Sequence, residues 1–142
     1  LYTHTMEETI FAKIIRREIP ADIVYEDVDT MAFLDIRPNN PGHTLVVPKK
    51  PFRNIFDIDD ETLAAVWRTT RKVARAVKDA TGAEGLNINT NNEHAAGQIV
   101  FHYHVHVIPR FEGDGLPLWP GRTYPNDTAA KEVAEKIRQA LG

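Results

Sequence analysis

Three of the chain's six histidines stand at alternate positions in Val100-Phe101-His102-Tyr103-His104-Val105-His106-Val107-Ile108-Pro109-Arg110. Side chains alternate faces along an extended strand, so this spacing sends His102, His104 and His106 to one side and Phe101, Tyr103, Val105 and Val107 to the other. A lone strand histidine is ordinarily a satisfied polar residue, and a histidine run can be an engineered tag. Neither explains three imidazoles at period two within an apolar strand. Two chemistries use such a row. The imidazoles can chelate Zn²⁺, since same-face neighbours on a strand converge on one ion. Alternatively, one imidazole attacks phosphorus while the others orient it and stabilise charge on the phosphate oxygens. The preceding loop, Asn91-Asn92-Glu93-His94-Ala95-Ala96-Gly97-Gln98, favours the second, because it supplies amide donors and a glycine where backbone can approach a phosphate. Clustered imidazoles also suppress one another's protonation, which keeps a neutral nucleophile available at about pH 7.

Composition closes other routes. The chain contains no cysteine, which excludes a disulfide framework, a cysteine nucleophile and a thiolate zinc site. Its 142 residues, 42% hydrophobic and 26% charged, describe one ordinary globular domain. The 17 basic residues are scattered among 20 acidic ones for a net charge of −3, so there is no basic footprint for duplex nucleic acid, although one local site can hold a small anion. No run is long and apolar enough for a membrane span, and no secretory leader is evident; a cytoplasmic location is expected. Residues 1–5, before Met6, read as a cloning remnant or a disordered start, leaving 6–142 as the single domain and His4 outside the functional argument.

The elements that must carry the row follow from periodicity. Ile10, Phe11, Ile14 and Ile15 share a helical stripe, with Glu7 and Glu8 at the favourable end and Pro20 beyond the stop. Ile23 to Glu26, Met31 to Asp35 and His43 to Val47 read as three strands joined by turn-rich links, a β-meander. A long helix starts at an Asp59 or Asp60 cap, places Leu63, Val66, Trp67, Thr70, Val73, Ala74 and Val77 on one face, and ends at Gly82. Two more strands, Gly85 to Thr90 and Val100 to Pro109, flank the polar loop. From Asp127 the tail spaces Ala130, Val133, Ala134, Ile137 and Leu141 as a third helix. Hairpin-length links make the sheet largely antiparallel and the class α+β.

His102-Tyr103-His104-Val105-His106-Val107-Ile108 resembles the His-x-His-x-His-x-x signature of the histidine triad (HIT) family of nucleotide hydrolases and transferases. Ile10 to Pro20, Ala32 to Pro38, Pro41 to Lys49 and Ala96-Gly97-Gln98 resemble the family's successive blocks in the same order, so the likeness runs from about Ile10 to Arg110. It lies nearest the short prokaryotic members and the phosphoramidase-like branch. The resemblance implies a HIT-like α+β fold, with about five antiparallel strands, two to three helices and a sheet extended across a homodimer. It implies that His104 attacks the α-phosphorus of a purine nucleoside 5′-phosphate derivative, either a phosphoramidate or a dinucleoside polyphosphate, through a covalent nucleotidyl-histidine. It further implies that His106 contacts phosphate oxygens, that His102 and His43 support the row from behind, and that Gln98 donates toward the leaving group. Asn91 then serves the phosphate or ribose, Asp35 the two ribose hydroxyls, and Phe11, Ile14, Ile19, Phe33 and Ile36 the base. Read without the resemblance, Asp35 is a turn residue, His43 a strand-end histidine, and the apolar five are core.

The departures matter as well. Thr9, Ala12 and Pro51 stand where many prokaryotic relatives place zinc ligands, so no metal and no cofactor are expected. Ile99 occupies a position that is a hydroxyl-bearing phosphate ligand in some relatives, which leaves only its backbone N–H. Gly113 to Asn126 matches no family block. Two other readings stand beside the enzyme: a nucleotide-binding regulatory protein with little turnover, and a metalloprotein using the histidine row.

Overall fold

Thr9 sets the first helix, its hydroxyl accepting from the Ala12 N–H at 3.1 Å. The computed structural model describes residues 8–142; Glu7, Met6 and the 1–5 run with His4 lie outside the described residues. The elements are α1 (Ile10–Ile15), β1 (Ile23–Glu26), β2 (Thr30–Leu34), β3 (Thr44–Pro48), α2 (Asp60–Thr81), β4 (Gly85–Asn89), a 3-10 turn (His94–Ala96), β5 (Val105–Arg110) and α3 (Asp127–Leu141). The strands form one antiparallel sheet in the order β1-β2-β3-β5-β4. The fold is the expected α+β arrangement of five strands and three helices.

Asp59 caps α2 by accepting from the Thr62 N–H, and Gly82 ends it in the left-handed conformation, φ +72°, which glycine adopts without a side-chain clash. Val66, Val73, Ala74 and Val77 of this helix pack on Ala32, Val46, Tyr103, Val105 and Val107 to make one core. Phe11 and Ile14 of α1 close the other sheet face over Met31, Phe33, Leu45 and Val47. The central strands β2 and β3 are therefore buried on both sides, and the histidine row lies on the α1 side.

Two expectations need correction. The strand beginning at Val100 starts only at Val105. Before it the backbone is claimed by loops: the Tyr103 N–H donates to the Phe52 carbonyl at 2.7 Å and the Thr90 hydroxyl to the His104 carbonyl at 2.8 Å. Trp67 is 40% exposed rather than core; its bulk keeps the ring at the margin, where the indole N–H donates to the Tyr103 hydroxyl. Thr69 is buried instead, sharing a 2.7 Å hydrogen bond with Thr30. Glu8 stands immediately before the α1 cap, near the favourable end of that helix, and forms an exposed ion pair with Arg16. The α3 stripe forms as a helix, with Val133, Ile137 and Leu141 exposed. Among the described residues no helix is long and apolar enough to cross a membrane.

Candidate active site

Alternation carries through the unpaired stretch before β5: Tyr103, Val105 and Val107 enter the α2 core, and the His104 ring lies 4.9 Å from Phe11 on the opposite face. His104 Nδ1 is 2.7 Å from the His102 carbonyl oxygen. A carbonyl only accepts, so Nδ1 carries the proton and Nε2 keeps its lone pair. The same reasoning places the His102 proton on Nε2, 2.8 Å from the Pro48 carbonyl. His43 joins from the residue immediately before β3. Its Nδ1 accepts from the Asn39 N–H at 3.1 Å, so its Nε2 carries a proton and donates to His106 Nδ1 at 2.9 Å. His106 must then hold its own proton on Nε2, a buried atom without a partner among the described residues.

All four imidazoles are held below their ordinary pKa, chiefly by burial, which penalises the charged form. His106 is pushed down to about 4, with the His104 and His43 rings adding to burial and Asp35 opposing them. A neutral row follows, with one free lone pair on His104 and one free N–H on His106.

These two rings end a cavity of about 280 Å³ lined also by Phe11, Ile14, Ile19, Phe33, Asp35, Ile36, Asn91 and Ile99. Every residue expected to bind nucleotide therefore faces one space. Ile36 and Ile99 form its exposed rim, while Phe11, Ile14 and Phe33 are its buried floor. His102 and His43 sit behind the row, buried and outside this lining. Ile10, Pro20, Ala21, Leu34, Leu45 and Gly97 complete the walls; of these, the sequence marks Gly97 as a point of close backbone approach in the loop and Ile10 as part of the first helical stripe. Leu45 reaches the cleft because it pairs with His106 across the β3–β5 ladder, and Pro20, Ala21 and Leu34 carry no chemical signal.

Asp35 sits both in the turn and at the cleft wall. One carboxylate oxygen accepts from the Arg37 N–H in the turn, and the other lies 3.7 Å from His43 Nε2 at the cleft wall. Gln98 is a correction. Its amide nitrogen donates to the Arg53 and Val100 carbonyls, and its oxygen accepts from the Asn54 side-chain amide and the Glu93 N–H. Buried and saturated inside the chain, it turns away from the cleft rather than toward a leaving group. Asp35, His43 and His106 each place one possible metal ligand within 4.8 Å of the others, although His43 Nε2 and His106 Nδ1 are hydrogen-bonded to each other. Thr9 caps α1.

The HIT domain family matches residues 16–113, spanning the sheet, α2 and the histidine row, and the chain belongs to this family. Among individual proteins it is 44% identical over 132 residues to Protein hit of Bacillus subtilis (strain 168), covering 92% of this chain and 90% of the relative. It is 38% identical over 139 residues to a protein of Arabidopsis thaliana named Adenylylsulfatase HINT3, covering 94% of this chain and 70% of that one. The crystal structure of SMU.412c from Streptococcus mutans UA159 is similar with a TM-score of 0.91 at 42% identity, covering 97% of this chain and 88% of the other.

Proposed function

We propose that the chain is a nucleotidyl hydrolase or transferase that cleaves the α-phosphate bond of purine nucleoside 5′-phosphate derivatives. The observation that carries this reading is the pairing of a lone pair on His104 Nε2 with an N–H on His106 Nε2 at the end of an apolar cleft. His104 Nε2 forms a bond to the α-phosphorus as the bond to the leaving group breaks, and the leaving group takes up a proton from solvent. Water then attacks the nucleotidyl-imidazole, breaking the P–N bond, releasing the nucleotide and returning a proton to solvent, which restores the neutral ring. His106 Nε2–H donates to a phosphate oxygen, where charge develops. The Arabidopsis relative's name, adenylylsulfatase, supports cleavage at an adenylyl phosphorus. Among the described residues lining the cleft, Asp35 is the one Asp, Glu, Lys or Arg. That favours an amine leaving group, hence a phosphoramidate, over a second charged nucleotide.

No metal takes part in this reading, since the His43 and His106 ligand atoms are engaged with each other. One assay tests reaction and metal together: product release from adenosine and guanosine 5′-phosphoramidates and dinucleoside polyphosphates, using protein dialysed against chelator. Nucleoside 5′-monophosphate is the expected product at an undiminished rate. Activity lost on dialysis and restored by zinc would transfer the row to metal chemistry, and no turnover on any substrate would leave a binding protein.

The reading further includes a homodimer that continues the sheet past β4, an edge strand. Trp67, Leu86 and Ile88 line an apolar hollow beside that edge. A monomer mass in solution at assay concentration would end this part of the proposal.

Asp35→Asn should weaken ribonucleotides by about tenfold or more while barely changing 2′,3′-dideoxy analogues, because a charge-assisted hydrogen bond is worth roughly 1.5–3 kcal/mol. Equal losses for both ligand types, in protein shown to be folded, would return Asp35 to its turn with Arg37.

A further inference from the structure

The loop joining β2 to β3 is tied down at several points. Within it, the Asp35 N–H donates to the His43 carbonyl at 2.9 Å and the His43 N–H to the Asn40 carbonyl at 3.0 Å. The Asn40 side-chain amide reaches outward, donating to the Pro109 carbonyl at 2.9 Å and to an Asp114 carboxylate oxygen at 3.0 Å. Asp114, its side chain only 8% exposed, accepts in addition from the Arg110 guanidinium and from the Phe111 and Leu116 N–H groups. Gly42 adds a steric contact: with φ +101°, it sits where a Cβ would lie 2.6 Å from Thr81 at the end of α2. The neighbouring Asn39 N–H is thereby aimed at His43 Nδ1.

That contact decides more than the pose of one ring. An N–H must meet a lone pair, so His43 carries its proton on Nε2, and His106 Nδ1, which receives it, must be unprotonated. We propose that Asn40 and Asp114 are positioning residues that clamp the β2–β3 loop, hold the Asn39 N–H on His43 Nδ1, and so set the tautomers of both His43 and His106. Their consequence for catalysis rests on the nucleotidyl-transfer reading above; their consequence for the tautomers does not. Asp35, His104 and His106 are the titratable groups facing His43, while Asp35, His43 and His104 face His106.

The test uses the full chain labelled with ¹⁵N. Two-bond ¹H–¹⁵N spectra of the free protein report imidazole tautomers, and kcat and KM are measured on a nucleoside 5′-phosphoramidate. The wild type should show His43 as the Nε2–H form alone. Asn40→Ala and Asp114→Asn should each give mixed His43 and His106 tautomers, with kcat down about tenfold, the worth of one good hydrogen bond, and KM nearly unchanged. Asn87→Ala, which removes an exposed partner of Arg110 without touching Asp114, should alter neither. Single Nε2–H tautomers and full kcat in both clamp variants would overturn the proposal. Mixed tautomers in the variants, with no turnover even in the wild type, would uphold the clamp and defeat the nucleotidyl-transfer reading. If one variant fails to fold, the other carries the same readout; in the wild type itself, a proton on His43 Nδ1 would overturn the proposal.

Discussion

His104→Ala should reduce turnover of a nucleoside 5′-phosphoramidate on the order of 10⁴-fold or more, the scale seen when a covalent nucleophile is removed, while nucleotide binding persists. The two effects separate because they use different parts of the cleft. Phe11, Ile14, Ile19 and Phe33 supply apolar wall that the substitution leaves in place, and in the proposed mechanism only the imidazole supplies the attacking lone pair. Some stability is lost too. The ring gives up its hydrogen bond to the His102 carbonyl and its edge contact with Phe11, the bond being worth about 1 kcal/mol. Kinetics therefore need a melting curve beside them. His104→Gly with added imidazole should recover part of the rate, since a free imidazole can occupy the vacated space. Near wild-type turnover in a folded His104→Ala protein would remove the nucleophile from this residue and, with it, the covalent mechanism.

The histidine row was legible because its signal is local and periodic. Alternation alone assigns Tyr103, Val105 and Val107 to one side and the imidazoles to the other, and neither core could form with the faces exchanged. The α2 caps were legible for a similar reason, since Asp59 and Gly82 act on backbone within three or four residues. The boundary of β5 was not. Its early stretch is extended, but its hydrogen bonds go to Phe52 and Thr90, partners that no pattern within the strand discloses. Tautomers were only half readable: a carbonyl behind His104 could be expected, whereas the Asn39 N–H on His43 exists only once the β2–β3 loop has closed. The α3 stripe shows the converse limit, since periodicity indicates an apolar face without saying what covers it.

Gln98→Met should cost about 2–5 kcal/mol of stability, because it strips hydrogen-bond partners from several groups at once and each buried polar group left unpaired costs about 1–3 kcal/mol. The Arg53 and Val100 carbonyls lose a donor, and the Glu93 N–H loses its acceptor. Asn54 is hurt less, since its amide also donates to the Glu93 carboxylate. Methionine nearly matches glutamine in volume, so the penalty comes from lost polarity rather than from a cavity. For a domain of this size the melting temperature should fall by about 3 °C per kcal/mol. The damage is concentrated at Glu93, which holds φ +76° and depends on Gln98, Arg53 and Asn54 to stay there. From Glu93 the chain runs through the 3-10 turn to Gly97 and Ile99, both in the cleft wall, so a loosened loop should also raise KM for nucleotide. A donor acting on the leaving group would behave differently: Gln98→Met would then melt like the wild type, bind nucleotide normally and lose kcat alone. Thermal denaturation alongside KM and kcat therefore distinguishes a buried amide that holds the loop from one that touches substrate, and unchanged stability would defeat the architectural role.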